Sequence, residues 1–174
     1  MTPQAALSPF DLVIFGGTGD LALRKLLPAL FHRFVEGQIP AGTRVLGIAR
    51  DVIGDDEWRA RAQAALERAD GAAGTDALDR FLRLLSYCAL DIEGVAGWDE
   101  LARWLAAGEG GDRVRVFYLA TSPALFAAAC DGLRSRGLID ERSRVVIEKP
   151  IGRDLATARE INAAIGRAFE ERNT

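Results

Sequence analysis

The chain has 174 residues, a net charge of −3, and 49% hydrophobic and 27% charged residues. That length suits one domain with a substantial core, and the composition is globular rather than disordered. It excludes a basic footprint for a nucleic-acid backbone, and no apolar run is long enough to span a bilayer.

The N-terminal MTPQAALSP has neither the basic nor the apolar region of a signal peptide, so a cytoplasmic location is expected. Asp11 to Phe15 is a short apolar run ending at glycine, as a buried strand does. From Asp20 to about Val35, Leu23, Leu26, Leu27, Leu30, Phe31 and Phe34 recur at helical spacing, and Gly37 stops the helix. Arg44 to Ala49 reads as a second buried strand. Asp55 to Ala69 reads as a helix with Asp55 as N-cap and with Trp58, Ala62, Ala65 and Leu66 on one face. After the loop GAAGT, a short helix through Phe81 and Leu85 precedes a weak strand near Tyr87 to Leu90. Trp98, Leu101 and Leu105 mark another helix, and Val114 to Ala120 a strong strand. Pro123 suits the first turn of a helix running to about Arg136, with Gly137 ending it. Arg144 to Ile147 is the fifth strand, and a last helix begins near Asp154.

Five strands alternating with helices, several of them continuously apolar, predict a single α/β domain. Its expected form is a Rossmann-type doubly wound parallel sheet in three layers, α/β/α. Ligands of such sheets bind outside the C-terminal ends of the strands, so the residues after each strand carry the function.

Gly17-x-Gly19-x-x-Ala22 fits the dinucleotide pattern G-x-G-x-x-(G/A), and it lies between the first strand and the first helix, where that pattern has meaning. In this reading one glycine makes the turn and the next admits a pyrophosphate. The small Ala22 packs helix on strand, and the helix N-terminus offers free N–H groups to phosphate. Asp20 would repel that phosphate and is expected to cap the helix instead. The second strand ends in Arg50-Asp51. An arginine there accommodates the 2′-phosphate of NADP, so NADP is favoured, with Asp51 leaving NAD as the weaker coenzyme. Ala120-Thr121-Ser122 places small groups beside the expected nicotinamide ribose. Glu148-Lys149-Pro150 places an acid, a cation and a rigid proline at the end of the fifth strand.

The two cysteines, Cys88 and Cys130, form no metal spacing and read as buried thiols of a reducing compartment. No metal site is expected. The single histidine, His32, falls in the middle or later half of the first helix, away from the strand ends, and reads as a surface or packing residue.

Together GGTGDLALRK, IAR, YLATSP and EKPIGRDL resemble the coenzyme-binding domain of the glucose-6-phosphate dehydrogenases, in order and spacing along essentially the whole chain. The resemblance implies that Gly16, Gly17, Thr18, Gly19, Asp20, Leu21 and Ala22 cradle the pyrophosphate and that Arg50 meets the 2′-phosphate. It implies that Asp91 and Ile92 lie near the adenine, and that Ala120, Thr121, Glu148 and Lys149 line the nicotinamide end. Lys149 would sit between coenzyme and sugar phosphate, with Pro150 cis, and Lys25 matches the last lysine of the family's DLAKRK. Leu23 replaces the first lysine of that motif, a departure that weakens the phosphate contacts expected of it.

By the same resemblance, the full enzyme is a homo-oligomer that oxidises glucose 6-phosphate at C1 to 6-phosphogluconolactone. The family's RIDHYLGKE segment and catalytic histidine are not among these residues, so the chain is expected to bind coenzyme without turnover and to lack the α+β substrate domain. A short-chain reductase would need Tyr-x-x-x-Lys, which neither Tyr87 nor Tyr118 provides. A non-catalytic module that senses NADPH or binds a partner is the alternative.

Overall fold

The structure is a computed structural model that describes residues 8–70, 76–108, 113–148, 155–169 and 174. Five parallel strands form one sheet: β1 (Phe10–Phe15), β2 (Arg44–Ala49), β3 (Leu85–Ala89), β4 (Val114–Leu119) and β5 (Arg144–Ile147). Their spatial order is β3-β2-β1-β4-β5. β1 and β2 are buried almost throughout because helices cover both faces, which is why Leu12 to Phe15 and Val45 to Ala49 are continuously apolar rather than alternating.

Alternate residues of the strands feed two separate cores. Leu12, Ile14, Val45, Leu85 and Tyr87 pack under α1 (Leu27–Val35), α2 (Asp55–Asp70) and α3 (Asp76–Leu82). Val13, Phe15, Leu46, Ile48, Cys88, Phe117 and Val145 pack under α4 (Trp98–Ala106), α5 (Phe126–Ser135) and α6 (Leu155–Ala168). The three-layer, doubly wound architecture expected from the sequence is therefore present. Trp58, Ala62 and Leu66 face the first core, and Ala65 is buried as well.

The first helix departs from its expected form. Ala22–Leu26 is π-helical, and the Leu27 N–H donates to the Ala22 carbonyl five residues back. Pro28 follows at the start of α1 and has no N–H for the carbonyl of Arg24, so the ordinary ladder cannot run through this turn. Ala22 and Leu27 are both fully buried in the same core, an i, i+5 spacing that a wide turn brings to one face.

Other boundaries also moved. Asp55 is not the cap of α2, because the Trp58 N–H bonds to the Gly54 carbonyl. The Asp55 carboxylate instead accepts the Tyr87 N–H at 2.7 Å, tying α2 to β3. Leu85 opens β3 rather than closing a helix, and Ala120 lies just past β4. Pro123 begins a short 3-10 turn ahead of α5, and Gly137, at φ 64°, follows that helix. The expected start of the last helix at Asp154 falls outside the described residues.

Far from the strand C-termini, Asp11 is fully buried between two arginines. Arg44 donates to it twice, at 2.9 and 2.6 Å, and Arg113 donates at 2.8 Å. Arg44 also stacks 4.1 Å over the ring of Trp104.

Candidate functional site

Strand order reverses between β1 and β4, and a crevice opens at the C-terminal ends of the strands there. It holds a cavity of about 570 Å³, a size typical of small-molecule and cofactor sites. The loop after β1 contributes Gly16, Thr18 and Gly19, and the corner after β2 contributes Arg50 and Asp51. Asp91, Ile92 and Glu93 come from the turn after β3, and Ala120, Thr121 and Ser122 from the segment after β4.

The three glycines have different jobs. Gly16 has φ 92° and makes the turn, and a Cβ there would lie 2.5 Å from the Ala120 carbonyl oxygen. A Cβ on Gly17 would lie 2.7 Å from Gly47 Cα, so Gly17 lets the loop pass close to β2. The N–H groups of both donate to the Ile48 carbonyl, each at 2.8 Å. Gly19 would meet only the Gly16 carbonyl oxygen, at 3.1 Å, and faces open space otherwise. The turn glycine is thus Gly16, one position before the fingerprint, and Gly19 is left for ligand approach.

The first intrahelical bond runs from the Leu23 N–H to the Gly19 carbonyl. The N–H groups of Asp20, Leu21 and Ala22 therefore stand ahead of the helix ladder, at its positive end. Ala22 is fully buried, as close helix–strand packing requires. Asp20 makes no capping bond: its carboxylate is 90% exposed and points 3.9 Å from Arg24.

Arg50 is exposed, lines the cavity and makes no hydrogen bond or ion pair among the described residues. Asp51 accepts the Thr18 hydroxyl at 2.7 Å. The Asp91 carboxylate accepts the Glu93 N–H at 3.2 Å and so shapes the turn it sits in, while the Trp98 indole donates to the Asp91 carbonyl. Glu148 does not line the cavity. It accepts a short hydrogen bond from the Tyr118 phenol, across the ends of β4 and β5. Burial and this carboxylate push the Tyr118 phenol up to about 12. Lys25 is exposed on the π-helical turn and outside the cavity lining. Lys149 and Pro150 fall outside the described residues.

Sequence reasoning missed the wall behind the loop. The Trp58 indole donates to the Gly17 carbonyl at 2.9 Å, and its ring fills the space a Gly47 side chain would occupy. The signal was there to read: a glycine in mid-strand marks a close approach. His32 is exposed on α1 with Nε2 3.2 Å from Glu36, as a surface histidine should be. Cys88 and Cys130 are free and buried, and burial pushes both thiols up to about 12. No group of metal ligands occurs among the described residues. No described helix is long and apolar enough to cross a membrane.

A parallel sheet in this order, with a glycine loop at its switch point, is a dinucleotide-binding fold. The model of one family, "Glucose-6-phosphate dehydrogenase, NAD binding domain", matches residues 13–174, and the chain belongs to that family. It is 46% identical over 167 residues to a glucose-6-phosphate 1-dehydrogenase of Rhizobium meliloti, covering 95% of this chain and 34% of that protein. It is 45% identical over 169 residues to the one of Mycolicibacterium smegmatis, with the same coverage. Among solved structures, a glucose-6-phosphate dehydrogenase in complex with its substrate glucose-6-phosphate superposes with a TM-score of 0.85 at 31% identity, over 95% of this chain and 35% of that one. The chain spans about a third of the length of the curated relatives it matches.

Proposed function

We propose that the chain binds NADP in the crevice at the switch point and serves, as the coenzyme-binding part of a glucose-6-phosphate dehydrogenase, the oxidation of glucose 6-phosphate at C1. The observation that carries the choice of coenzyme is Arg50, a cation on the cavity wall at the end of β2 with no partner among the described residues. A charge-assisted bond from it to a 2′-phosphate contributes roughly 1.5–3 kcal/mol.

The residues present fit a dinucleotide. Gly19 leaves open the space a Cβ would fill, and the N–H groups of Asp20, Leu21 and Ala22 are unclaimed by the helix ladder. In this reading those donors hold the pyrophosphate and Arg50 holds the 2′-phosphate. Asp91 and Ile92 wall the adenine, and Ala120 and Thr121 border the nicotinamide ribose. NADP, when bound, accepts the hydride. The family resemblance assigns Glu148 and Lys149 to the nicotinamide end, and Lys149 and Lys25 to the sugar phosphate.

Removing a proton from the C1 hydroxyl needs a base matched to neutral pH. The one histidine is engaged with Glu36 on α1, remote from the crevice, which supports a base contributed from outside these residues. In this reading the 174 residues act as one coenzyme-binding domain.

Calorimetric titration of the chain with NADP and with NAD, followed by a glucose 6-phosphate turnover assay, tests this. The expected result is tighter binding of NADP and no turnover. Binding of neither coenzyme would overturn the assignment of the crevice. Turnover would overturn the assignment of the base to residues elsewhere.

A further inference from the structure

Trp58 lies wholly inside the first core, and its indole N–H leaves that core to donate to the Gly17 carbonyl at 2.9 Å. The crevice lies on the other side of the glycine loop. Its lining includes Ile48, Leu90 and Ile92, which pack with the second core, and contains neither Gly17 nor Trp58. The Gly17 carbonyl therefore points away from the crevice. A non-proline peptide is planar and trans, so the carbonyl of one residue and the N–H of the next point in opposite directions. With the Gly17 carbonyl turned to Trp58, the Thr18 N–H is turned to the crevice, whose wall Thr18 helps to form. The amides beside it are taken: Gly16 and Gly17 donate to the Ile48 carbonyl, and Gly19 donates to the Gly16 carbonyl at 2.9 Å. The Thr18 N–H donates to no group among the described residues.

We propose that Trp58 is a positioning residue for the coenzyme: its indole fixes the plane of the Gly17–Thr18 peptide and so aims the Thr18 N–H at an anion in the crevice. This rests on the reading of the crevice as the dinucleotide site, where that anion is the pyrophosphate. Trp58 itself touches no ligand and acts only through the peptide. Without the indole N–H, the Gly17 carbonyl is a buried acceptor with no donor, a state that costs the full desolvation of the group. Rotation of the peptide relieves it by bringing the carbonyl to water in the crevice, and Gly17 has no side chain to resist that rotation. The phosphate would then face a carbonyl oxygen where it had faced an N–H. Both dinucleotides carry the pyrophosphate, so the effect falls on NADP and NAD alike.

The test is calorimetric titration of the 174-residue chain, wild type and Trp58→Phe, with NADP, with NAD and with adenosine 2′-monophosphate, which has no pyrophosphate. Phenylalanine keeps an aromatic ring in the core and removes the N–H. NADP and NAD are each expected to weaken about tenfold, as for one hydrogen bond to a charged group, while their ratio and the affinity for the 2′-monophosphate stay as in the wild type. Unchanged constants for both dinucleotides would make Trp58 a packing residue only and overturn the proposal. A parallel loss for all three ligands would mark a general distortion of the crevice and overturn it as well. Proton–nitrogen NMR of the wild-type chain tests the aim without any substitution. The Thr18 amide proton should move downfield when NADP is added, and a Thr18 amide that does not respond to bound NADP would overturn the proposal whatever the variant does. Failure of the wild-type chain to bind either dinucleotide would overturn the site reading, and this inference with it.

Discussion

Arg50 and Tyr118 show how much a single side chain decides at the ends of these strands. Arg50 lines the crevice without a partner among the described residues, so Arg50→Ala removes one interaction and leaves no buried group exposed. It should weaken NADP by about one to two decades and NAD far less. Equal losses for both in parallel titrations would remove the 2′-phosphate contact. Tyr118 is raised from 10.0 to about 12, first by burial and then by its hydrogen bond to Glu148. The fold favours the neutral phenol. That contribution is complete below pH 10.0 and is lost as pH rises towards about 12. Glu148→Gln removes the carboxylate's share and leaves burial, so ultraviolet titration should show one of the two tyrosines ionising earlier. A titration curve identical to that of the wild type would mean that burial alone sets the value.

At the scale of elements, the glycine loop is held from behind by α2. Trp58 reaches across to the Gly17 carbonyl, and its ring lies where a Gly47 side chain would be, 2.2 Å from a Cβ built there. Gly47→Ala must push the indole aside, which typically costs about 1–3 kcal/mol. It should also loosen the loop, and so lower both the unfolding midpoint and coenzyme affinity. A melt and a titration of the same sample check this, and a full-strength binder with a normal melt would show that Trp58 moves without consequence. The π turn at Ala22–Leu26 belongs to this scale too. Leu23 to Leu27 look like ordinary helix in sequence, and only Pro28, set directly after them, hints that the hydrogen-bond ladder must widen.

For the molecule as a whole, the two ends of the sheet have different roles. The C-terminal end carries the crevice. The opposite end is closed by Asp11 with Arg44 and Arg113, a fully buried carboxylate serving two guanidinium groups. Asp11→Ala would leave two half-buried cations facing each other with no counter-charge, a loss of about 3–5 kcal/mol. For a domain of this size the melting midpoint should fall by about 10 °C. A midpoint within a degree or two of wild type would mean that water reaches the arginines and replaces the carboxylate.

The sequence determined much of this protein by itself. Runs such as LVIF and VLGIA are apolar at every position, and only strands covered on both faces need that, so the doubly wound sheet was legible. The fingerprint was legible because its meaning is local: a strand, a glycine turn and a helix start adjacent in the chain. The family followed from four motifs in order. What depended on residues distant in sequence was decided by the tertiary structure alone. Which glycine turns and which yields space depends on β4 and β2, brought alongside by the sheet. Asp55 reads as a cap because local propensity favours one, yet the neighbouring β3 offers its carboxylate a buried N–H. Asp51 reads in sequence as the acid that leaves NAD possible, but that Thr18 and Tyr87, 33 and 36 residues away, hold its carboxylate and its backbone carbonyl is decided by the fold. Periodicity and turn chemistry record what a residue needs from its neighbours in the chain. The partners of a polar side chain at a strand end are chosen by the packing of other elements, and no local pattern carries that.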